Sequence, residues 1–392
     1  MANNQLVSNS LCCGCSACYN VCSQQAISMA FDNEGFLYPV IDEQKCIGCN
    51  ACARVCPVKN GALKQEYTVR AYAAYNKDNI QRMNSSSGGV FPAIAEYVLL
   101  HNGVVFGAAF DKNYQVVHTK IDSISELYKL QGSKYVQSIL GKVFLMVRTE
   151  LLAKKMVLFS GTPCQIEGLK KFLGKEYSTL YTIDLICHGV PAPKIWEKYL
   201  DEEYGISNIT NISFRNKKHG WGNFDLTIET KNYIQHEASD VSIYKESFLR
   251  GFLKELYLRP SCHNCAFKGI DHASDITLGD LWGSKEICPQ FIKDDKGISV
   301  VFIQSCKGEF LINQLDSKLI FNEVSVNEAI NHNLAMVQSE IPHPDRELFF
   351  KELNSDNRSS IKKLIEKHIG PTLRKRLSVY LRSKLSIKSK RK

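Results

Sequence analysis

No run of the 392 residues is apolar for long enough to cross a bilayer. The longest candidate, residues 90–110, is interrupted by Pro92, Glu96, His101, Asn102 and two glycines, so it predicts a helix followed by a strand. The opening MANNQLVSNS has neither a basic n-region nor an apolar h-region, so no export leader is expected and the chain reads as cytoplasmic. A glycine-rich G-x-G-x-x-G dinucleotide fingerprint is also missing. Acidic residues are absent from Arg374 to Lys392, a stretch that carries nine Lys or Arg. The net charge of +9 therefore belongs to the tail, and the body gives no reason to expect nucleic-acid binding.

What is present in excess is cysteine. An apolar fraction of 44% and a charged fraction of 23% describe an ordinary globular chain, and its length predicts two or three domains. Fifteen cysteines do not fit that ordinary picture. Nine fall within positions 12–56, and the other six are scattered from Cys164 to Cys306. In a reducing compartment dense cysteines are metal ligands before they are disulfides, and an odd total argues against complete pairing.

Cys12, Cys15, Cys18 and Cys22 follow C-x2-C-x2-C-x3-C, and Cys46, Cys49, Cys52 and Cys56 repeat the pattern with Pro57 added. Three thiolates at intervals of three line a tight turn and can grip three corners of one cubane. The fourth ligates the other cluster of a two-cluster module. Cys12, Cys15 and Cys18 with Cys56 are thus predicted to hold one [4Fe-4S] cluster, and Cys46, Cys49 and Cys52 with Cys22 a second. Zinc is the competing reading, but its sites use two C-x2-C pairs across a longer loop. Ser23 stands where a proline is expected after Cys22, and Cys13 reads as a spare thiol packed as a small apolar residue. Apart from this doubled motif there is no internal repeat.

Between the cysteine runs, AISMAFDNEGFLYPVID reads as a hairpin turning at Asp32–Gly35. Strands are predicted at 69–75 and 104–110, with a helix from Val90 to His101 between them. From Lys154 strand and helix alternate: MVLFSGTPCQ as a strand running into a loop, IEGLKKFL as a helix, LYTIDLICHG as a strand and loop, and PKIWEKYLDEEYG as a helix. Such an order predicts a mixed α/β core with ligand-binding loops at the strand carboxyl ends. Residues 212–230 read as hairpin strands, SFLRGFLKELYL as one helix, and 323–370 as helical and peripheral. Cys164 and Cys187 fall in predicted loops just after strands, and Cys262 and Cys265 form a C-x2-C. Spacing alone leaves these four open between core residues, a zinc half-site and further metal ligands.

The segments SSSGGVF (85–91), QGSKYVQS (131–138), LFSGTPCQIEGLKKFL (158–173), DLICHGVPAPKIWEKYL (184–200), SFRNKKHGWG (213–222), RPSCHNCAFK and SDITLGDLWG (259–283) resemble the coenzyme F420 hydrogenase/dehydrogenase beta-subunit family, in its form with an N-terminal ferredoxin domain. The resemblance covers about the first three quarters of the chain. It implies an α+β and α/β multidomain protein: a bacterial two-cluster ferredoxin module (1–62) fused to a mixed α/β FAD-binding core. That core divides into two domains, one like the N-terminal part of the family's proteins (67–150) and one like their C-terminal part (151–322). A helical extension (323–370) and a basic amphipathic tail (371–392) complete the expected plan. It also implies FAD, and a third [4Fe-4S] cluster on Cys164, Cys187, Cys262 and Cys265.

For the flavin, the resemblance favours Ser85, Ser86, Ser87, Gly88 and Gly89 together with Gly132, Ser133, Lys134 and Tyr135. Serine hydroxyls and closely approachable glycine amides suit ring carbonyls and pyrophosphate, and Lys134 suits a phosphate or the reduced ring. By itself SSSGG reads as a turn. His188, Arg215, His219 and Asp280 are candidates to bind substrate or supply a proton, against plain surface or capping roles; no catalytic residue is assigned. The leading expectation is an iron-sulfur flavoprotein oxidoreductase. It would pass electrons from the clusters to FAD and on to an unidentified two-electron acceptor, with surface-polysaccharide metabolism as the setting the resemblance suggests. Two alternatives stand beside it: an electron-transfer subunit of a larger hydrogenase or dehydrogenase complex, and a zinc-stabilised interaction protein. A redox partner protein, ferredoxin or reductase, is expected; the tail reads either as a solvated disordered segment or as a basic amphipathic helix in peripheral contact with an anionic membrane.

Overall fold

The computed structural model describes residues 6–63, 66–231, 246–291, 294–355 and 359–370. Its twelve strands, in chain order, are β1 (Ile27–Phe31), β2 (Leu37–Ile41), β3 (Arg70–Asn76), β4 (Val104–Phe110), β5 (Val116–Ile121), β6 (Val157–Gly161), β7 (Leu180–Leu185), β8 (Ile209–Asn216), β9 (Asp225–Thr230), β10 (Ile276–Asp280), β11 (Ser299–Ile303) and β12 (Leu319–Val324). β1 and β2 make the hairpin between the cysteine runs. Its turn is closed by the Asp32 carboxylate, which accepts the main-chain N–H groups of Glu34 and Phe36, and by Gly35 at φ 84°. β8 and β9 form a second hairpin.

The remaining eight strands form one sheet in the order β12-β3-β11-β10-β7-β6-β4-β5. Its centre, β10-β7-β6-β4, is parallel, and antiparallel strands flank it on both sides. This is the mixed α/β core that alternating strands and helices predict. Alternation along β4 and β6 buries both faces. Val105 and Leu158 pack with the helix Val90–Leu100, while Val104, Phe106, Val157 and Phe159 pack with the helices Val143–Leu152 and Pro163–Leu173. Residues 67–150 and 151–322 both feed this sheet, and β12 returns to pair with β3, Leu319 opposite Asn76.

Three local expectations need correction. The helix after β6 begins at Pro163, so Cys164 lies in its first turn and not in a loop. Pro163 has the φ that a first helical residue needs, and Thr162 with Gln165 forms a capping box. The helix from Ser247 stops at Phe252, and Glu255 adopts φ 56°, which no helix accommodates. Residues 323–370 are not peripheral: Phe349, Ile361 and Ile365 are fully buried in an aromatic core with Trp196, Phe214, Phe248 and Tyr257. The basic tail lies outside the described residues. No helix among the described residues is long and apolar enough to cross a membrane.

Candidate functional site

The doubled cysteine motif folds twice into the same turn. Gly14 and Gly48 take φ of 71° and 69°, and Ser16 and Asn50, two residues later, take 59° and 60°. Left-handed residues two apart curl the chain so that successive thiols face one centre. Cys12, Cys15, Cys18 and Cys56 line one cavity, here site I. Cys22, Cys46, Cys49 and Cys52 line another, site II. Each cavity thus gathers three ligand-patterned thiols of one run and the fourth of the other, and site I takes in Cys13 as well. Four soft sulfur donors around a small cavity fit an iron-sulfur cluster. Burial first, then the neighbouring Cys12 and Cys56 charges, pushes the Cys18 thiol up, so its thiolate needs a cation at the centre of the site. The Ala26 N–H reaches Cys22 Sγ at 3.3 Å, a contact that stabilises ligand charge.

The two turns differ in surroundings. A Cβ on Gly14 would collide with Gln137 and Arg259, whereas Gly48 has nothing within 4 Å. Cys15 is buried and Cys49 is exposed, and beside Cys49 the Ile47 side chain is 66% exposed. The module therefore docks by site I and presents site II to solvent. Docking is polar as well as apolar. Lys142 Nζ donates to Tyr19 O at 2.9 Å, Asn20 Nδ2 donates to Gly141 O at 2.9 Å, and the Leu63 N–H donates to Glu167 Oε1 at 2.8 Å. Arg346 forks onto both carboxylate oxygens of Glu34 at 2.8 and 2.5 Å. Gly168 lies so close to Cys15 that an added Cβ would sit 2.8 Å from its Cβ and Sγ.

Cys164, Cys187, Cys262 and Cys265 come together at the carboxyl edge of the parallel strands, each feeling the charge of others in the group. Cys164 lies in the first turn of the helix after β6, Cys187 follows β7, Cys262 lies inside the tight turn Pro260–Asn264 and Cys265 closes it. Burial raises the Cys187 thiol and takes Cys262 to about 12. This set, site III, offers four sulfurs, no three of them within 4.8 Å of one another, which is too wide for one tetrahedral zinc and leaves room for an iron-sulfur cluster. Lys268 donates to Cys187 O at 2.5 Å, and Ser339 Oγ accepts the Cys265 N–H at 3.0 Å. Cys13 packs against the apolar core as a small side chain, as expected, and Arg259 bridges the two sites, its Nε donating to Cys12 O at 2.7 Å and its carbonyl accepting the Cys262 N–H at 2.9 Å. Sites I and III therefore adjoin.

The two segments favoured for flavin do meet, the Ser133 N–H donating to Ser86 Oγ at 2.6 Å. Several of their polar groups already have partners. Ser85 Oγ donates to Gln81 O, Ser87 Oγ donates to Ile298 O, and the Gly88 N–H donates to Ser299 Oγ. Gly132 is open, and Lys134 Nζ rests on the Gln131 and Gly132 carbonyls. Loss of hydration pulls the Lys134 ammonium down, and it takes Lys217, whose Nζ sits against the Arg82, Ser87 and Lys296 carbonyls, to about 7. Lys217 spends its three N–H groups on those carbonyls, so of the two ammonium groups only Lys134 keeps a donor for an anionic ligand beside this loop.

Arg215 and Asp280 form a buried pair at 2.6 Å, and Trp221 Nε1 donates to Asp280 at 2.8 Å. Trp221 stacks on Trp282 at 5.0 Å between ring centroids. His188 lies between Glu255 and Glu340 at 3.2 Å each, while His219 stands apart in an exposed loop near Asp225. Sequence reasoning missed Arg259, Gln137 and the tryptophan pair. Arg259 had one visible signal, its place three residues before Cys262.

Residues 154–328 match the family described as the C terminus of the coenzyme F420 hydrogenase/dehydrogenase beta subunit. Two 4Fe-4S dicluster domain descriptions match overlapping stretches, 11–60 and 38–87. The eight ligand-patterned cysteines within 12–56 make these one module. The coenzyme F420-dependent sulfite reductase of Methanocaldococcus jannaschii is 28% identical over 327 residues, 80% of this chain. The chain spans about half, 47%, of that relative's length. A chain of the F420-reducing [NiFe] hydrogenase complex from Methanosarcina barkeri superposes with a TM-score of 0.45 at 17% identity, covering 78% of this chain and 94% of that one.

Proposed function

For a chain that joins a 4Fe-4S dicluster domain to a region of the coenzyme F420 hydrogenase/dehydrogenase beta-subunit family, we propose an iron-sulfur electron-transfer subunit of a larger oxidoreductase assembly. The observation that carries this reading is the continuity of the thiol groups. Site II is open at the exposed Cys49, no site I cysteine is exposed, and site I adjoins site III through Arg259, which joins Cys12 O to the Cys262 N–H. An exposed cluster edge beside an uncovered apolar side chain, Ile47, suits a protein partner better than a small substrate. Cys12, Cys15, Cys18 and Cys56 would hold the inner cluster, Cys22, Cys46, Cys49 and Cys52 the outer, and Cys164, Cys187, Cys262 and Cys265 a third. Bound clusters supply one-electron transfer; the chain fixes their spacing and keeps water from the inner pair.

FAD on the 85–89 and 132–135 segments is the second part of the proposal, supported by their contact, by the open Gly132 and by the Lys134 ammonium beside it. A flavin there supplies the exchange between one- and two-electron chemistry. Reduction or use of F420 belongs to the relatives named and is a proposal for this chain. The surface-polysaccharide setting finds no support among these contacts and drops out of the reading. Anaerobic purification with iron, sulfide and flavin analysis tests both parts. About twelve irons and one flavin per chain are expected; about eight irons and no flavin would refute the third cluster and the FAD together.

A further inference from the structure

Among the described residues Arg259 is a charge without a carboxylate. Its side chain is 0% exposed. Nε donates to Cys12 O at 2.7 Å, Nη1 to Gln137 Oε1 at 2.8 Å and Nη2 to Leu37 O at 3.1 Å. The guanidinium also lies over the Tyr38 ring, 4.1 Å from its centroid. Every one of these partners is neutral. Burying a cation among neutral groups costs several kcal/mol, and hydrogen bonds to carbonyls recover only part of that. Such a residue points to anions that complete its surroundings.

Two anions would lie on either side. The main chain of Arg259 belongs to the site III turn, where its carbonyl accepts the Cys262 N–H at 2.9 Å. Its side chain crosses to site I, gripping the carbonyl of Cys12 and leaving Gly14 no space for a Cβ, which would lie 2.9 Å from Nη1. A [4Fe-4S] unit with four thiolates is an anion, and it gains negative charge on reduction. A fixed cation nearby favours the reduced form. Site II has no buried counterpart: Gly48, at the equivalent position, faces open space, and the guanidinium on a ligand carbonyl there, Arg54 Nη1 on Cys49 O at 2.8 Å, is exposed and screened by solvent.

We propose that Arg259 is a positioning and tuning residue shared by the site I and site III clusters, holding both at higher potential than they would have without it and leaving the site II cluster untouched. The gradient this creates favours electrons moving from the exposed site inward. The inference rests on the three-cluster reading of the preceding subsection.

The test uses the full chain prepared anaerobically, wild type, Arg259→Gln and Arg259→Lys, with iron analysis and redox titration followed by electron paramagnetic resonance. The site II signal is identified by its loss in Cys49→Ala. Arg259→Gln should lower the site I and site III midpoints and leave site II where it was; Arg259→Lys, which keeps the charge, should restore most of the shift. Unchanged midpoints, or all three moving together, would overturn the proposal. If the Gln variant fails to load iron, Lys should still load; failure of both would assign Arg259 to folding and refute the tuning role. A wild-type chain with about eight irons would instead remove site III and the reading beneath the inference.

Discussion

Loss of the Glu34 carboxylate should loosen the ferredoxin module from the core. Glu34 sits at the tip of the β1–β2 hairpin and Arg346 opens the helix Arg346–Ser355, so the pair joins segments 312 residues apart. Both carboxylate oxygens are engaged, at 2.8 and 2.5 Å, and the same guanidinium donates to Leu258 O at 2.8 Å and lies over Phe350. Exposed ion pairs contribute about 0–1 kcal/mol, and breaking a buried one costs about 3–5. With side chains 10% and 24% exposed, this pair falls between, at about 2 kcal/mol.

The consequence is local. Glu34→Gln should lower the free energy of opening the hairpin, speeding amide exchange of residues 27–41 about 30-fold at about 1.4 kcal/mol per decade. Protection in β6 and β7 should stay unchanged. Hydrogen exchange followed by mass spectrometry reads this directly, and Arg346→Met with the double variant closes a cycle. A change below about threefold, or equal loosening of the core sheet, would refute the idea that this fork clamps the module.

Three further outcomes follow from particular contacts. Gly168→Ala gains about 1 kcal/mol of helix propensity but forces a Cβ against Cys15, an overpacking cost of about 1–3 kcal/mol; site I iron should be lost to a chelator before site II iron, and equal retention would contradict this. Glu167 is buried, and loss of hydration raises its carboxyl from 4.5 to about 7. Between those values the folded chain holds the extra proton, so stability is full below about 4.5 and falls as pH rises; from pH 6 to 7.5 the loss is about 1 kcal/mol. Glu167→Gln keeps an acceptor for the Leu63 N–H and should flatten that slope in urea titrations, whereas an unchanged slope would place the proton elsewhere. Cys56→Ala should disturb the signal of the cluster held by Cys12, Cys15 and Cys18 and spare the other, and the reverse pattern would break the crossed assignment.

How much of this was legible depended on the range of the contacts. The convergence of the two cysteine runs on two cavities was readable because one local turn repeats, and spacing within it decides which thiols face one centre. The strand and helix order from Lys154 onward was readable for the same reason. The start of the helix at Pro163 was misplaced although its signals, Thr162, Pro163 and Gln165, are local and present. Site III was invisible to spacing because its four cysteines come from three separate segments that only the parallel sheet brings together. Arg259 was harder still, since its partners come from positions 12, 37, 38 and 137. The burial of 323–370 was missed because helices with polar faces look peripheral until the aromatic core beneath them is seen.

The central claim is that one chain carries three linked clusters, the third held by the core. Iron content of anaerobically prepared wild type beside Cys187→Ala tests it most directly. The account predicts about twelve irons falling to about eight, with both ferredoxin-module signals intact. About eight irons in both proteins would contradict it.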